Sequence, residues 1–284
     1  WINTFEKRKK EVTTTIKQCS KYHTNNGNET IQKILERFKE YKLEKEFFKK
    51  GENLYYSFEN FEYYNGKFAE NNEPVLLMEL GDNKYLSRIL EVLTRLKHNC
   101  VESLVGFYVE NEDENNEPKI TIVTKRVGID LYSFLHTSNK SMQNFEPGDR
   151  TILIYKIALA MSYVHSLNII HRNMSTSSIY INKEKGKFPD IMISCFLGSR
   201  IMPKKVNQAV TCRPDINYGY NPPSFIAPEF DNSSSYNEKI DVFAFAAIIY
   251  ELATGESPFS EYDYNTIITM LKNNQRPKFP EGFN

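Results

Sequence analysis

The chain has 284 residues, of which 40% are hydrophobic and 13% aromatic, enough to bury one large core or two small ones and to exclude wholesale disorder. Its 36 basic and 36 acidic side chains cancel, which argues against a general nucleic-acid-binding surface. The four cysteines (Cys19, Cys100, Cys195 and Cys212) stand far apart without a Cys-x-x-Cys pair, so neither a zinc site nor a disulfide framework is expected, and a reducing, cytoplasmic setting suits them. The longest strongly apolar run, VFAFAAIIY from Val242 to Tyr250, is nine residues. A membrane span needs roughly 20, so this run is expected to be a core helix. No signal-peptide pattern opens the chain, and Trp1 in first place leads us to expect a piece of a longer protein.

Residues 1 to about 50 are charged and read as helix. In ETIQKILERFKEYKLEKEFF, Ile31, Ile34, Leu35 and Phe38 fall at helical spacing between Lys and Glu residues. The stretch HTNNGNET before it is a break, with Asn28 or Thr30 as caps. A solvated helix packing one face is the plainer expectation for this segment, and self-association through 1–50 is the other.

From 51 to 128 the pattern becomes that of a sheet. NLYYSFENFEYYNGKF is aromatic and strand-like, with Asn65-Gly66 expected as a hairpin turn. EPVLLMEL is a short apolar strand, and YLSRILEVLTRLKH repeats Leu86, Ile89, Leu90, Leu93 and Leu96 as an amphipathic helix. VESLVGFYVE and KITIVTKRV read as two strands joined by the acidic turn NEDENNEP. Residues 129–284 are mainly helical. RTILIYKIALAMSYVHSLN is a long helix, NKEKGKFPDIMIS a short hairpin, and KIDVFAFAAIIYELATG a helix apolar almost all round that ends at Gly255.

A small sheet lobe with one helix, followed by a helical lobe, suggests the α+β bilobal arrangement of protein kinases. The residues carry the resemblance further. SYVHSLNIIHRN resembles the long helix that runs into the His-Arg-Asp loop, and FIAPEF (Ala227, Pro228, Glu229) resembles the motif closing the activation segment. YNEKIDVFAFAAIIYELATGESPF is similar to the central helix segment, with Asp241 at its start, and LTRLKHNCVESLVGFY resembles the regulatory-helix exit of tyrosine-kinase-like members. These motifs stand in the family's order over residues 55–284. The chain stops at QRPKFPEGFN, before the family's last helices, so the helical lobe is expected to be truncated, with the partner of Glu229 outside the sequence and some apolar surface left uncovered.

Phosphoryl transfer needs a phosphate cover, a lysine, a glutamate holding it, a base and metal ligands. The resemblance aligns the lysine with Met78 and its glutamate with Ile89. Glu91 is two residues on, turned about 200° around the helix. Two apolar side chains in place of a buried ion pair keep the packing without the desolvation cost. The base aligns with Asn173, the phosphate-steadying lysine with Ser175, the metal-binding asparagine with Ser178, and the Asp-Phe-Gly aspartate with Cys195. Asparagine accepts no proton at useful pH, and a soft sulfur ligand suits magnesium poorly. Gly66 is the only glycine available to a phosphate cover.

The resemblance also assigns structural positions. His171 and Phe196 fall on the regulatory spine with Leu93 and Leu104. Asp241 anchors the loop backbone, and Arg172 is available to a phosphate or acid of the activation segment. Leu76, the gatekeeper Thr124, and the hinge from Lys125 to Val127 would line a nucleotide pocket. Lys67 is tested as a substitute lysine, because one kinase class borrows its nucleotide lysine from that strand. No metal or cofactor is expected, although hinge bonds to adenine leave room for ATP without magnesium. The implied function is a pseudokinase that works as a scaffold or allosteric partner of signalling proteins. The alternative is a non-standard ATP-dependent kinase using Lys67.

Overall fold

A computed structural model describes residues 30–58, 61–81, 83–110, 118–136, 145–202, 210–211, 222–230 and 235–279. The chain divides into two compact units, Trp1–Arg37 and Phe38–Asn284. Within the described part of the first unit lies helix α1, Ile31–Arg37. Most of the proposed 1–50 association segment, along with the activation-segment residues Cys212, Tyr218 and Tyr220, lies outside the described residues.

The second unit opens with a five-stranded antiparallel sheet in the order β1-β2-β3-β5-β4. Its strands are β1 (Phe48–Phe58), β2 (Phe61–Phe68), β3 (Pro74–Leu80), β4 (Leu104–Glu110) and β5 (Lys119–Lys125). Alternation sorts β3 into two faces. Val75 and Leu77 join Phe48, Tyr108 and Val123 in the outer core, while Leu76 and Met78 point the other way, toward the cleft, both buried. Helix α2 (Leu86–Leu93) buries Leu86, Ile89, Leu90 and Leu93, as its spacing predicts. The pairing of β1 with β2 slips between Lys50 and Asn53 and again between Leu54 and Ser57, leaving an irregular edge strand.

Two expectations are corrected. The helical reading fails after Arg37: short 3₁₀ turns at Lys39–Tyr41 and Lys45–Phe47 lead into β1, which begins at Phe48. Lys42 bridges to Phe107, and the Leu43 amide donates to the Phe107 carbonyl at 2.8 Å, so this stretch covers part of the β4 edge. Gly106 allows the approach, since a Cβ there would lie 2.4 Å from Leu43 Cδ1 and 2.5 Å from the Tyr41 carbonyl oxygen. Leu43 and Phe48 pack against the sheet, and that burial holds the stretch outside a helix. Asn65-Gly66, in turn, is not a hairpin turn. Both residues lie inside β2, opposite Leu76 and Val75. A Cβ on Gly66 would meet Leu77 Cγ at 2.7 Å, so the glycine serves close strand packing rather than chain reversal.

The helical part holds α3 (Leu131–His136), α4 (Asp149–Ser166), α5 (Lys239–Thr254) and α6 (Tyr264–Lys272). The remaining strands are short: β6 (Ile129–Asp130), β7 (Ile169–Ile170), β8 (Ile179–Asn182), β9 (Asp190–Ile193), β10 (Arg200–Ile201), β11 (Val210–Thr211) and β12 (Ser235–Tyr236). Helix α4 buries Leu153, Ile157, Ala160 and Val164 and packs on β9, β7 and α5. Among the described residues no helix is long and apolar enough to cross a membrane.

Helix α5 buries Ile240, Ala244, Ala247, Ile248 and Leu252, yet Val242 on its other side is 51% exposed and Ala246 is exposed beside half-buried Phe245 and Ile249. Such a stripe favours association. The double substitution Val242→Glu, Ala246→Lys places an ion pair at i, i+4. Light scattering should then show less self-association, with stability changed by no more than about 0.5 kcal/mol. Unchanged association would put the sticky surface elsewhere.

Candidate functional site

The loop between β7 and β8 is held from below by Asp241, in the first turn of α5. Its carboxylate accepts the His171 amide at 2.8 Å, the Arg172 amide at 2.8 Å and His165 Nε2 at 2.9 Å. Arg172 stands at φ +69°, and its Nη1 donates to the Gly198 carbonyl at 3.0 Å. Its guanidinium lies 5.5 Å from the Phe230 ring centre and 5.4 Å from that of Tyr236. Glu229 beside them is exposed.

His171 is fully buried. Its Nδ1 accepts the Asn173 amide at 3.2 Å while Nε2 faces the Ser194 carbonyl at 2.8 Å. These bonds assign the neutral Nε2–H tautomer. Burial holds its pKa below the usual imidazole value, against the upward pull of Asp241. The Phe196 ring packs edge-on at 4.5 Å, and α2, which carries Ile89 and Leu93, packs against the Phe196–Gly198 turn. Leu104, half-buried, pairs across the sheet with Thr124.

The aligned chemical positions are turned inward. The Ser178 hydroxyl accepts the Ser175 amide at 3.0 Å and donates to the Ser175 carbonyl at 2.9 Å, so its only proton is engaged inside the loop. Both serines are buried and Asn173 is half-buried. Cys195 adopts a left-handed backbone at φ +67°. Burial first, then the nearby Glu102 carboxylate, hold its thiol far above the ordinary range, so it is neutral.

Residues 77–284 match the family described as protein tyrosine and serine/threonine kinase. The chain belongs to the protein kinase family. An Aurora kinase of Eremothecium gossypii is 27% identical over 186 residues, 65% of this chain and 45% of that protein. The probable serine/threonine-protein kinase roco6 of Dictyostelium discoideum is 26% identical over 202 residues, 69% of this chain and 9% of its own length. The dual specificity protein kinase pyk3 of the same organism is 28% identical over 202 residues, 70% of this chain and 13% of its own. The chain thus spans less than half the length of these relatives.

Three buried polar residues outside the aligned catalytic positions, Tyr63, Glu102 and Tyr180, belong to this region of the kinase domain. Tyr63 on β2 lies directly opposite Met78 in the register and is 3% exposed. Burial first, then its nearness to the acidic groups Cys195, Glu102 and Tyr180, raises its pKa well above the usual phenol value. Tyr180 on β8 is also buried, with the Arg126 guanidinium 5.5 Å from its ring centre. Glu102 is fully buried, and Thr124 Oγ1 donates to its Oε1 at 2.6 Å. Burial raises the Glu102 pKa, opposed by Thr124, Ser194 and the Phe196 and Cys195 amides. A charged residue inside the otherwise apolar VESLVGFY run was the visible signal for Glu102.

The positions aligned with a nucleotide pocket are spread unevenly. Leu76 and Thr124 face each other across β3 and β5, both buried. Lys125 is exposed, and its amide donates to the Ser103 carbonyl at 3.1 Å, while Val127 is half-buried. Lys67 is exposed near the end of β2, paired with Pro74 and Lys49. Four residues of strand separate it from Tyr63, about 13 Å.

Two outcomes follow from the loop's geometry. Asp241→Ala strips the acceptor from two buried amides and should cost about 3 kcal/mol or more in chemical denaturation. Since the folded state favours neutral His171, its contribution is fully present above about pH 6.5 and is lost as pH falls through the lower folded pKa. The denaturation midpoint of the wild type should drop over that interval. His171→Gln should drop less steeply, and equal slopes would mean that another group titrates.

Proposed function

We propose that this kinase domain acts as a pseudokinase, a scaffold or allosteric partner for signalling proteins with little or no phosphoryl transfer. The observation that carries it is the neutral, half-buried Cys195 thiol at the aligned metal-binding position, beside a cleft packed with the buried Tyr63 and Tyr180. A magnesium–nucleotide pair needs hard anionic oxygens and a cation on the phosphates. Met78 and Ile89 carry no charge, and the Ser178 hydroxyl is bound within its loop. These residues do not fit a magnesium–nucleotide pair. The stretch LTRLKHNCVESLVGFY, from the end of α2 into β4, supports assignment to the tyrosine-kinase-like group by motif likeness.

The relatives named as kinases favour one other reading, an active enzyme with rearranged residues. That reading needs Lys67, which stands exposed and about 13 Å along β2 from Tyr63.

Thermal shift with ATP plus magnesium, and with ATP plus a chelator, separates the two. Bound ATP at about 100 times its Kd would raise Tm by roughly 5–10 °C for a domain of this size. We expect no shift in either case and no labelled phosphate on peptide or on the domain itself. A magnesium-dependent shift, with transfer that is abolished by Lys67→Ala but kept by Met78→Ala, would establish the enzyme instead.

A further inference from the structure

Met78, Ile89, Ser178 and Cys195 stand at the positions aligned with phosphate and metal contacts. The purine end of the cleft is a separate matter. Adenine would be held there by main-chain groups of the aligned hinge, Lys125 to Val127, and main-chain groups are present whatever the side chains.

Two tyrosines approach that end from opposite sides. On β2, Tyr64 packs against the outer core of the sheet with Val75 and Leu77. Its neighbour Tyr63 therefore points to the other face. There it stands opposite Met78 and shares a face with Leu76 and Thr124, which pair across β3 and β5. From the helical part comes Tyr180 on β8. It pairs with Asp130, just past the hinge. The Arg126 guanidinium lies 5.5 Å from its ring centre, which puts the ring beside the hinge.

An open nucleotide cleft would leave its roof and floor within reach of water. Here Leu76 and Thr124 are each 1% exposed, Tyr63 is 3% and Tyr180 5% exposed. The chain itself supplies this burial, so side chains already occupy the space between roof and floor. The Tyr63 hydroxyl is buried with no hydrogen-bond partner among the described residues. What this ring gives the cleft is bulk, and a flat aromatic ring has the thickness of the purine it would displace.

We propose that Tyr63 and Tyr180 form a plug, one ring from the sheet and one from the helical part, that fills the purine end of the cleft and excludes adenosine as well as its phosphates. The inference rests on the non-catalytic function proposed above and names the residues that close its cleft to nucleotide. Exclusion is assigned to ring volume. Large-to-small changes leave a cavity because the surroundings relax only in part. Shortening both rings should therefore uncover the hinge main chain.

Adenosine, which carries neither phosphate nor metal, is the probe. Calorimetric titration of the full chain, with chelator present, should detect no binding to the wild type up to about 1 mM. The double variant Tyr63→Val, Tyr180→Leu should bind adenosine at least tenfold more tightly than that limit, and each single variant more weakly than the double. The pair Tyr63→Phe, Tyr180→Phe keeps both rings and should still exclude it. Binding by the wild type or by the phenylalanine pair overturns the plug, as does a folded Val/Leu variant that does not bind. If the Val/Leu variant does not fold, the two single variants are titrated by saturation-transfer NMR, and silence in both overturns the plug. Adenosine bound by the wild type without phosphoryl transfer would remove the plug and leave the scaffold role standing. Transfer of labelled phosphate would remove that role, so the two failures are distinguishable.

Discussion

The helical lobe depends on the Asp241 carboxylate. It is buried, and three donors from α4 and the β7–β8 loop converge on it. Take it away and the His171 and Arg172 amides are left dry without acceptors, and the unusual backbone of Arg172 loses its support. From that anchor the order passes outward in steps. The His171 backbone fixes its ring, the ring fixes the Ser194 carbonyl, and that carbonyl leads into the Phe196 turn. None of these bonds involves a group that would touch phosphate or metal, so the frame stands whatever the cleft contains.

The cleft itself follows a different economy. Met78 and Ile89 are both buried and apolar where the family's alignment places a paired lysine and glutamate, which removes a desolvation cost. Yet a carboxyl returns to the same region as Glu102, buried and with its pKa raised. Burial disfavours its charged form, and the hydrogen bonds that converge on the carboxyl offset part of that cost. The tyrosines beside it supply bulk and hydroxyls together, which suits a cleft that must be both filled and specific.

Much of the fold was legible in the sequence. The spacing of α2, the apolar run of β3 and the all-round hydrophobicity of α5 are local signals that tertiary packing reinforces. Where local and tertiary preferences disagree, the sequence misleads. Asn65-Gly66 has turn chemistry, but its glycine is needed against Leu77 and Val75 in a neighbouring strand. Residues 38–48 continue the charged, helix-like character of the stretch before them, but Leu43 and Phe48 find burial on the sheet. Family motifs single out Asn173 and Cys195 as candidate positions. Tyr63, Glu102 and Tyr180 were not legible in this way, because their surroundings are set by residues far away in the chain and no local pattern encodes that meeting.

The irregular edge of β1 constrains how other proteins can recognise this lobe. An extended peptide that joins a sheet reads an even row of free backbone groups, and its affinity comes from main-chain bonds. The two register slips along β1 break that row, while Lys42 and Leu43 already occupy part of the opposite edge at Phe107. Strand addition is therefore disfavoured at both margins. A protein that docks on the sheet must do so by side-chain shape and charge, which makes its affinity sensitive to single surface substitutions and tolerant of a backbone-modified ligand.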